Sequence, residues 1–344
     1  MPEHVPSVDV AHAQRPLFVG VDVGGTTIKL GIVDDAGATV DFTRIETNAT
    51  VDAAVTLERL ADALRELLSN HHLSIDDLAA IGLGTPGTMD IPAGLILEPP
   101  NLPGWRHYPV RDELCRLCED TPVAFTNDGA AAAYGEYWIG TGRQHDSMVM
   151  LTLGTGVGGG IIVDGTAIDG AHSHGSECGH IIVDASDDAR PCSCGQPGHL
   201  ESYASAKAVV GRTREALAAG AESSLQDLLA EDQQITALAI YQAAENGDPL
   251  AHEMISETAR WLAIGIVTLL HTIDPALVVL GGAMDFGGHE SALGREFLET
   301  IRRQVGERTF PVIAEQVTID FASLGGDAGY IGAAGFGRAL VKDS

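Results

Sequence analysis

The feature that most constrains the fold is a pair of glycine-rich hairpins, one in each half of the chain. Phe18–Gly37 reads FVGVDVGGTTIKLGIVDDAG and Met148–Gly165 reads MVMLTLGTGVGGGIIVDG. Each segment predicts an apolar strand, a Gly-Gly turn that carries Thr, a second apolar strand and then Asp with Gly. Such a repeat predicts two related α/β domains that begin with the same unit. No low-complexity linker separates the halves, so we expect the domains to pack with a cleft between them.

Apolar runs and their periodicity predict the elements around these hairpins. Three short runs separated by turn residues predict an antiparallel meander, and leucines at helical spacing then predict an amphipathic helix. Two more strands, a second helix, a further strand and a late buried helix follow. The predicted strands are Leu17–Val21, Ile28–Val33, Thr39–Ile45, Ala79–Leu83, Val123–Thr126 and Met148–Leu153, and the predicted helices include Leu57–Leu68, Ala130–Trp138 and Trp261–Leu270.

Two segments, Gly82–Gly87 and Gly154–Gly159, match the G-x-G-x-x-G pattern of dinucleotide-binding proteins. That interpretation needs a helix directly after the glycines, because the helix N-terminus holds the pyrophosphate. A Pro-rich loop follows the first match and β-branched residues follow the second, so neither match begins a helix. A Walker A loop is excluded as well, since no Gly-Lys-Ser/Thr occurs.

The hairpin glycines are better explained as phosphate-binding turns. Backbone N–H groups without side chains around them form a nest for anions. Asp22 precedes Gly24-Gly25-Thr26-Thr27, where a carboxylate can hold Mg²⁺ beside a phosphate. The alternative is that the glycines only form tight β-turns. Two such hairpins, one of them preceded by Asp, favour phosphate binding.

The charge balance limits the class of partner. The 344 residues include 20 basic and 48 acidic side chains, a formal charge of −28. Nucleic acids and anionic membranes are held by clusters of Lys and Arg, so neither partner is expected. Met1–Arg15 has neither a basic start nor an apolar run, and residues 1–16 are predicted to be a disordered tail rather than a targeting signal. Five Cys are too few for a disulfide framework and are typical of a cytoplasmic protein.

Several short motifs occur in a fixed order from about Leu17 to Arg338. They are Asp22-x-Gly24-Gly25-Thr26 with Lys29, Gly84-x-Pro86-Gly87, Asn101-Leu-Pro-Gly-Trp105, Asn127-Asp128, Leu153-Gly-Thr-Gly-Val-Gly-Gly159, Glu177-x-Gly179-His180, and Cys192-x-Cys194-Gly195 with Glu201. This combination closely resembles the ROK family of bacterial sugar kinases and repressors.

The resemblance implies an α/β protein with the actin-like ATPase (ribonuclease H-like) fold, in which two α/β domains flank a cleft. It also implies ATP and Mg²⁺ as cofactors, a small sugar as substrate, and a homodimer or homotetramer. The reaction would be phosphorylation of a hexose at its 6-hydroxyl, with glucose as the expected hexose. The first domain is predicted to span residues 17–127 plus 329–344, and the second, which carries a zinc loop, residues 128–328.

By the same resemblance, Asp128 is the base that takes the proton from the 6-hydroxyl of the sugar. It lies between a predicted strand and a predicted helix, where its alternative role is the helix N-cap. The remaining sugar hydroxyls would be bound by Asn101, Asn127, Glu177, His180 and Glu201, together with Asp128. The nucleotide would be bound by Asp22, Gly24, Gly25, Thr26, Thr27 and Lys29, by Gly154, Thr155 and Gly156 at the phosphates, and by Gly281 and Gly282 at the adenosine.

A metal site is predicted from four side chains near the sugar motifs. His180, Cys192, Cys194 and His199 offer two imidazoles and two sulfurs, a sufficient set for a closed, structural tetrahedral zinc. Cys115-x-x-Cys118 is the rival pair, but its spacing favours one face of a buried helix. The nearby Cys178, His172 and His174 are interpreted as loop residues.

Three positions depart from the family pattern. The zinc loop normally reads Cys-x-Cys-Gly-x-x-Gly-Cys, whereas the last position here is His199. The adenosine-side turn normally has three glycines, but this one reads Gly281-Gly282-Ala283, and the late Asn-Asp pair is Gly326-Asp327. The last two departures are expected to affect nucleotide fit modestly.

Other functions remain open from the sequence. A sugar-sensing repressor of this family carries several dozen residues of DNA-binding domain ahead of the first hairpin, whereas about 16 residues precede it here. A filament-forming or chaperone relative of the actin-like fold would not need the Glu-x-Gly-His motif or the zinc loop. Among kinases, fructose, N-acetylmannosamine or mannose could be the acceptor, and another phosphoryl donor could replace ATP.

Overall fold

The computed structural model describes residues 6–230 and 234–342, which fold into two compact units. Unit 1 comprises Met1–Asp146, Gly160–Ser176 and Ser323–Ser344, and unit 2 comprises Ser147–Gly159 and Glu177–Ala322. Residues 128–146, 160–176 and 323–328, which were predicted to lie in the second domain, belong to unit 1. For residues 128–146 the physical reason is the packing of the helix after Asn127 against the last helix of the chain, which also belongs to unit 1.

The first sheet has the strand order β3-β2-β1-β4-β7. The predicted antiparallel meander forms its first half, and the later strands join in parallel. The strands up to residue 127 are β1 (Leu17–Val23), β2 (Thr27–Val33), β3 (Thr39–Glu46), β4 (Leu78–Thr85), β5 (Met89–Asp90), β6 (Leu95–Ile96) and β7 (Val123–Asn127), and the helices of unit 1 are α1 (Ala53–Ser69), α2 (Val110–Leu117), α3 (Asp128–Trp138) and α11 (Ala328–Lys342).

The second sheet repeats this arrangement in the order β10-β9-β8-β11-β12, with β11 parallel to both β8 and β12. The internal repeat predicted from the two hairpins is therefore confirmed by the topology of the sheets. The remaining elements are β8 (Ser147–Leu153), β9 (Val157–Val163), β10 (Thr166–Ala167), α4 (Glu201–Ala204), α5 (Ala206–Ala218), α6 (Gln226–Ala230), α7 (Ala237–Glu245), α8 (Pro249–Ile273), β11 (Leu277–Gly281), α9 (Ala292–Gly306), α10 (Pro311–Gln316) and β12 (Thr318–Phe321).

Helix α1 shows how the sequence produces these elements. Its leucines at positions 57, 60, 64, 67 and 68 are buried, as their spacing predicts, and they pack in the core of unit 1. The carboxylate of Asp52 accepts a hydrogen bond from the N–H of Ala54 at 2.9 Å and caps the helix. No helix in the described part of the chain is long and apolar enough to cross a membrane.

The predicted disordered tail needs a correction where the structure describes it. The N–H of Val8 donates to the carbonyl of Thr39 at 3.0 Å, and the N–H of Thr39 donates to the carbonyl of Pro6 at 2.8 Å. The N–H of Gln14 donates to the Asp34 carboxylate at 2.9 Å. Residues 6–16 are therefore hydrogen-bonded to unit 1, and residues 1–5 of the prediction lie outside the described residues.

Helix α11 lies in close contact with strands β1 and β4. A Cβ added at Gly82 would lie 1.6 Å from the carbonyl oxygen of Ala333, and one added at Gly20 would lie 1.7 Å from the carbonyl oxygen of Tyr330. Both strand positions are glycine because a side chain there would collide with the helix backbone, which cannot rotate away. The two glycines thus set the distance between α11 and the first sheet.

We expect Gly82→Ala to lower the free energy of unfolding by about 3 kcal/mol, because overpacking forces the backbone of α11 to shift. The control is Gly306→Ala, since an added Cβ at this helical glycine meets no atom within 4 Å. That variant is expected to be neutral or slightly stabilising, by about 0.5–1 kcal/mol. Urea unfolding of both variants measures the difference, and equal stability of the two would contradict the account.

Candidate active site

In unit 1, the first hairpin places Asp22 opposite Lys29 on neighbouring strands. Burial raises the pKa of Asp22, and the nearby Lys29 ammonium lowers it by a smaller amount. The ammonium of Lys29 donates a hydrogen bond to the carbonyl of Gly326. The Asp22 carboxylate lies against Gly329, where an added Cβ would be 2.5 Å from Oδ2. The hairpin and the start of α11 therefore enclose the carboxylate together.

The turn of this hairpin is closed by a hydrogen bond from the N–H of Gly24 to the carbonyl of Thr27, at 2.9 Å. Asn101 lies beside it, since a Cβ added at Gly25 would be 3.5 Å from the Asn101 Cβ. The loop that carries Asn101 is held by the fully buried side chains of Leu102 and Trp105. One predicted sugar residue and the predicted phosphate turn are thus neighbours in unit 1.

Asn127 and Asp128 lie where β7 ends and α3 begins. Asn127 is the N-cap, because its Oδ1 accepts hydrogen bonds from the N–H groups of Gly129 at 2.8 Å and Ala130 at 3.4 Å. Helix α3 starts at Asp128, two residues before the predicted start at Ala130. The alternative role of Asp128 as the N-cap is therefore taken by Asn127. Asp128 is instead the first helical residue, and its Oδ1 also accepts from the N–H of Gly129, at 2.9 Å. This position lies at the positive end of the helix dipole, which favours a carboxylate.

In unit 2, the two predicted nucleotide turns lie side by side. Strands β8 and β11 are parallel and pair Thr152 with Gly281, so the turns that follow the two strands leave the sheet at the same edge. Gly282 has a φ of +94°, and an added Cβ would lie 2.2 Å from the carbonyl oxygen of Leu153. The N–H of Met284 then donates to that same carbonyl at 3.1 Å. The structure therefore brings Gly154–Gly156 and Gly281–Gly282 together, with the exposed Thr155 in the first turn.

Glu201 joins the phosphate turn to the predicted zinc loop. Its Oε2 accepts a hydrogen bond from the N–H of Val157 at 3.1 Å, and its Oε1 accepts one from the Ser193 hydroxyl at 2.6 Å. A Cβ added at Gly156 would lie 2.3 Å from Oε2, so the turn approaches the carboxylate closely. Ser193 was not among the residues predicted for the site. The only signal for it in the sequence is its place between the two cysteines of Cys192-x-Cys194.

The Glu177–His180 motif forms a short 3₁₀ turn in the same unit. The imidazole Nε2 of His180 lies 3.9 Å from the Glu177 carboxylate, while its Nδ1 faces His199. The two nitrogens of one ring thus face the predicted sugar residue and the predicted metal site separately. His180 can therefore contact the predicted sugar site through Nε2 and bind the metal through Nδ1, which are the two roles predicted from the sequence.

The four predicted metal ligands converge. Their ligand atoms all lie within 4.8 Å of one another. The Nδ1 atoms of His180 and His199 are 3.3 Å apart, Cys192 Sγ is 3.8 Å from His180 Nδ1, and Cys194 Sγ is 3.2 Å from His199 Nδ1. A tetrahedron with metal bonds of about 2.0–2.3 Å has edges of roughly 3.3–3.8 Å, which these three distances approach, so the four residues form a possible metal site.

Electrostatics around this cluster favour neutral imidazole. Burial and the neighbouring His180 lower the pKa of His199, so its ring is unprotonated and able to bind a metal near neutral pH. No second such group of ligands occurs among residues 6–230 and 234–342. The rival Cys118 is fully buried in the core of unit 1, where it is the C-cap of α2 and not a helical residue, and burial raises its pKa to about 11.

The family is identified by comparison with known proteins. The model of the ROK family matches residues 18–342, and the chain belongs to this family. A glucokinase of Halalkalibacterium halodurans is 38% identical to the chain, over 94% of the length of each. The resemblance noted in the sequence motifs is thereby confirmed.

Solved structures of the family agree in fold. The ROK hexokinase of Thermus thermophilus gives a TM-score of 0.79 at 30% identity, covering 95% of this chain and all of that one. A ROK glucokinase of Streptomyces griseus, solved in complex with glucose and AMPPNP, gives 0.74 at 32% identity and covers 94% and 99%. The predicted fold class, the α/β actin-like ATPase fold, is confirmed by these likenesses.

We expect Asp22→Asn to raise the free energy of unfolding of the nucleotide-free protein at neutral pH. A carboxyl whose folded-state pKa is raised stabilises the fold when protonated, and this contribution is lost as the pH rises through the folded-state pKa. The neutral amide avoids that loss, so the advantage of the variant should shrink as the pH falls below the folded-state pKa.

The control is Asp77→Asn, because a hydrogen bond from the backbone of Ser74 lowers the pKa of Asp77. This variant should be destabilised at neutral pH, the opposite sign. Urea unfolding of both variants at about pH 7 and about pH 4 provides the comparison. A less stable Asp22→Asn protein at neutral pH would show that the carboxylate is not penalised by burial.

Proposed function

We propose that the protein is an ATP-dependent hexose kinase that transfers the γ-phosphoryl group of ATP to the 6-hydroxyl of glucose. The observation that carries this proposal is the likeness to glucokinases along nearly the whole of both chains. The likeness to the Streptomyces griseus glucokinase, which was solved with glucose and an ATP analogue, supports the same pair of substrates. The residues of both units contain the groups that such a reaction requires.

Asp128 is proposed as the base. Phosphoryl transfer needs an acceptor hydroxyl held in line with the γ-phosphorus and a group to take its proton. A carboxylate oxygen of Asp128 would take the proton of the 6-hydroxyl. At the same time the 6-hydroxyl oxygen would attack the γ-phosphorus, and the bond from that phosphorus to the oxygen that bridges it to the β-phosphate would break. Asn101 and Asn127 in unit 1 and Glu177, His180 and Glu201 in unit 2 are proposed to bind the other hydroxyls through hydrogen bonds.

The nucleotide is proposed to bind at the glycine turns. In unit 1, Asp22 and Lys29 with the Gly24–Thr27 turn would hold the phosphates and Mg²⁺, whose charge would neutralise the transferring group. In unit 2, the neighbouring turns Gly154–Gly156 and Gly281–Gly282 would hold the phosphates and the adenosine. Their contact at the carbonyl of Leu153 supports one continuous nucleotide surface.

The metal cluster is proposed to hold one structural zinc. Two imidazoles and two thiolates would hold zinc without an open position for water, so the ion would be structural and would take no part in the chemistry. Its role would be to fix His180 and the loop of Ser193, which donates to Glu201. The zinc site would thereby orient two of the residues proposed to bind the sugar.

Assembly and location are proposed on separate grounds. A homodimer or homotetramer is proposed on the resemblance to the family, and a cytoplasmic location on the small number of Cys. The alternatives for the activity are a kinase for N-acetylmannosamine, mannose or fructose, and a sugar-sensing regulator without catalysis. A coupled assay of ADP release compares kcat/KM for these hexoses. The highest value is expected for glucose, and no ADP release with any hexose would favour a regulator.

We expect Asp128→Asn to lower kcat with glucose by roughly 10²–10⁴, because the amide cannot accept the proton. The dissociation constant for glucose should stay nearly unchanged, since the amide retains an acceptor oxygen. Asp76→Asn, at an exposed carboxylate of the same unit, is the control and should keep wild-type turnover. Retention of more than about half of the wild-type kcat by Asp128→Asn would exclude this carboxylate as the base.

Elemental analysis of the purified protein is expected to find about one zinc per chain. Cys194→Ser should lose the metal, whereas Cys115→Ser, at the rival pair, should retain it. His199→Cys restores the usual family ligand and should retain zinc as well. A metal-free wild type, or equal zinc in Cys194→Ser, would contradict the proposed site without bearing on the kinase activity.

A further inference from the structure

Helix α3 contains a buried carboxylate to which the proposed reaction gives no role. Glu136 is 0% exposed and lies two turns after Asp128 on the same helix. Its side chain accepts three hydrogen bonds, all from neutral donors. Among residues 6–230 and 234–342 no ion pair to Glu136 occurs, and keeping a carboxylate out of water without one is costly, so its position needs an explanation.

The donors show what the carboxylate holds. One is the N–H of Thr141, which donates to Oε2 at 2.9 Å just beyond the end of α3. The other two come from far along the chain: the Ser323 hydroxyl donates to Oε2 at 3.1 Å, and the N–H of Leu324 donates to Oε1 at 2.7 Å. Glu136 therefore fixes the start of the segment Ser323–Asp327, which we call the 323–327 turn.

The 323–327 turn meets the predicted phosphate residues of unit 1. Leu324 is 2% exposed, and the following residues form a 3₁₀ turn, Gly325–Asp327, that leads directly into α11. The carbonyl of Gly326 accepts the hydrogen bond from the Lys29 ammonium. The Asp22 carboxylate packs against Gly329, one residue inside the helix. A shift of this turn would therefore move the surroundings of Lys29 and Asp22 together.

We propose that Glu136 is a positioning residue for nucleotide binding, which it supports by holding the 323–327 turn in place against Lys29 and Asp22. This inference rests on the proposed function, because that function assigns Lys29 and Asp22 to the phosphates of ATP. Glu136 acts through the turn and contacts no substrate. Its helix also begins with the proposed base, so α3 orients groups for the nucleotide and for the sugar at its two ends.

A carboxylate suits this role better than an amide. Both oxygens of Glu136 accept, one from an N–H and the other from an N–H and a hydroxyl. In Glu136→Gln the single side-chain oxygen can accept a hydrogen bond from the N–H of Thr141 or from that of Leu324, but not from both. The NH₂ group then faces the other N–H, which is also a donor. Either Thr141 or Leu324 loses its acceptor, and a buried N–H left without one is penalised strongly.

The test is the affinity for ADP, measured by calorimetry without sugar on the full chain. Glu136→Gln is expected to weaken ADP binding about tenfold, the equivalent of losing one buried hydrogen bond at the turn. Ser323→Ala removes only the hydroxyl donor at an exposed position, so it should fold and weaken ADP binding by a smaller factor. KM for glucose at saturating ATP should be unchanged in both variants.

The matched control is Asp248→Asn in unit 2. Asp248 is 7% exposed and also accepts from backbone N–H groups and serine hydroxyls, at 2.6 Å from the N–H of Ser224 and 2.8 Å from the Ser223 hydroxyl. It caps the start of α8, and its hydrogen-bond partners Ser223, Ser224 and Ala251 are not among the proposed site residues. Asp248→Asn should lower the melting temperature while leaving the ADP dissociation constant unchanged.

The outcomes distinguish a failure of the proposed function from a failure of the role of Glu136. Wild-type protein that fails to bind ADP would overturn the proposed function and the inference built on it. Wild-type protein that binds ADP, with unchanged affinity in Glu136→Gln and Ser323→Ala, would overturn the role of Glu136 alone. If Glu136→Gln does not fold, Ser323→Ala gives the decision. An equal loss of ADP affinity in Asp248→Asn would mean that lowered stability, not the turn, weakens binding.

Discussion

The close contact of α11 with strands β1 and β4 is the constraint on which the geometry of unit 1 depends. Two strand glycines let the helix backbone approach the sheet, and the helix in turn covers the Asp22 carboxylate at its first turn. Helix α3 packs against α11 and begins at Asp128. The proposed base and the proposed phosphate carboxylate are therefore positioned by one pair of helices.

In unit 2 the corresponding constraint is the pair of hydrogen bonds that Glu201 accepts. One comes from the N–H of Val157, and the other comes from the hydroxyl of Ser193 in the loop of the proposed metal ligands. The phosphate turn, a proposed sugar ligand and the proposed zinc loop thus share one short hydrogen-bonded path. A change in any of the three is expected to reach the others through these direct hydrogen bonds.

Much of the fold could be predicted because its signals are local. The hairpins, the meander, helix α1 and the repeat of the two sheets follow from residues close together in the sequence, and the structure contains each of them. The four metal ligands could be named because their residue types are distinctive, and the structure brings them within 4.8 Å of one another. The family motifs supplied the remaining site residues.

What the sequence did not reveal depends on contacts between distant residues. The hydrogen bonds of Glu136 join positions 187 and 188 residues apart, and nothing in the local pattern of α3 predicts them. The hydrogen bonds of residues 6–16 with Thr39 and Asp34, and the packing that assigns α3 to unit 1, have the same origin. The start of α3 was missed for a different reason, because Asn127 and Asp128 are equally good N-cap residues.

The central claim, that the protein moves phosphate onto the 6-hydroxyl of glucose, is tested most directly by replacing that hydroxyl. Steady-state ADP release is measured with glucose and with 6-deoxyglucose under the same conditions. If the 6-hydroxyl is the acceptor, ADP release with glucose is rapid and matched by an equal amount of sugar phosphate, and 6-deoxyglucose inhibits competitively with no ADP release of its own. ADP release with 6-deoxyglucose at the rate seen with glucose, and a phosphorylated product, would contradict this claim.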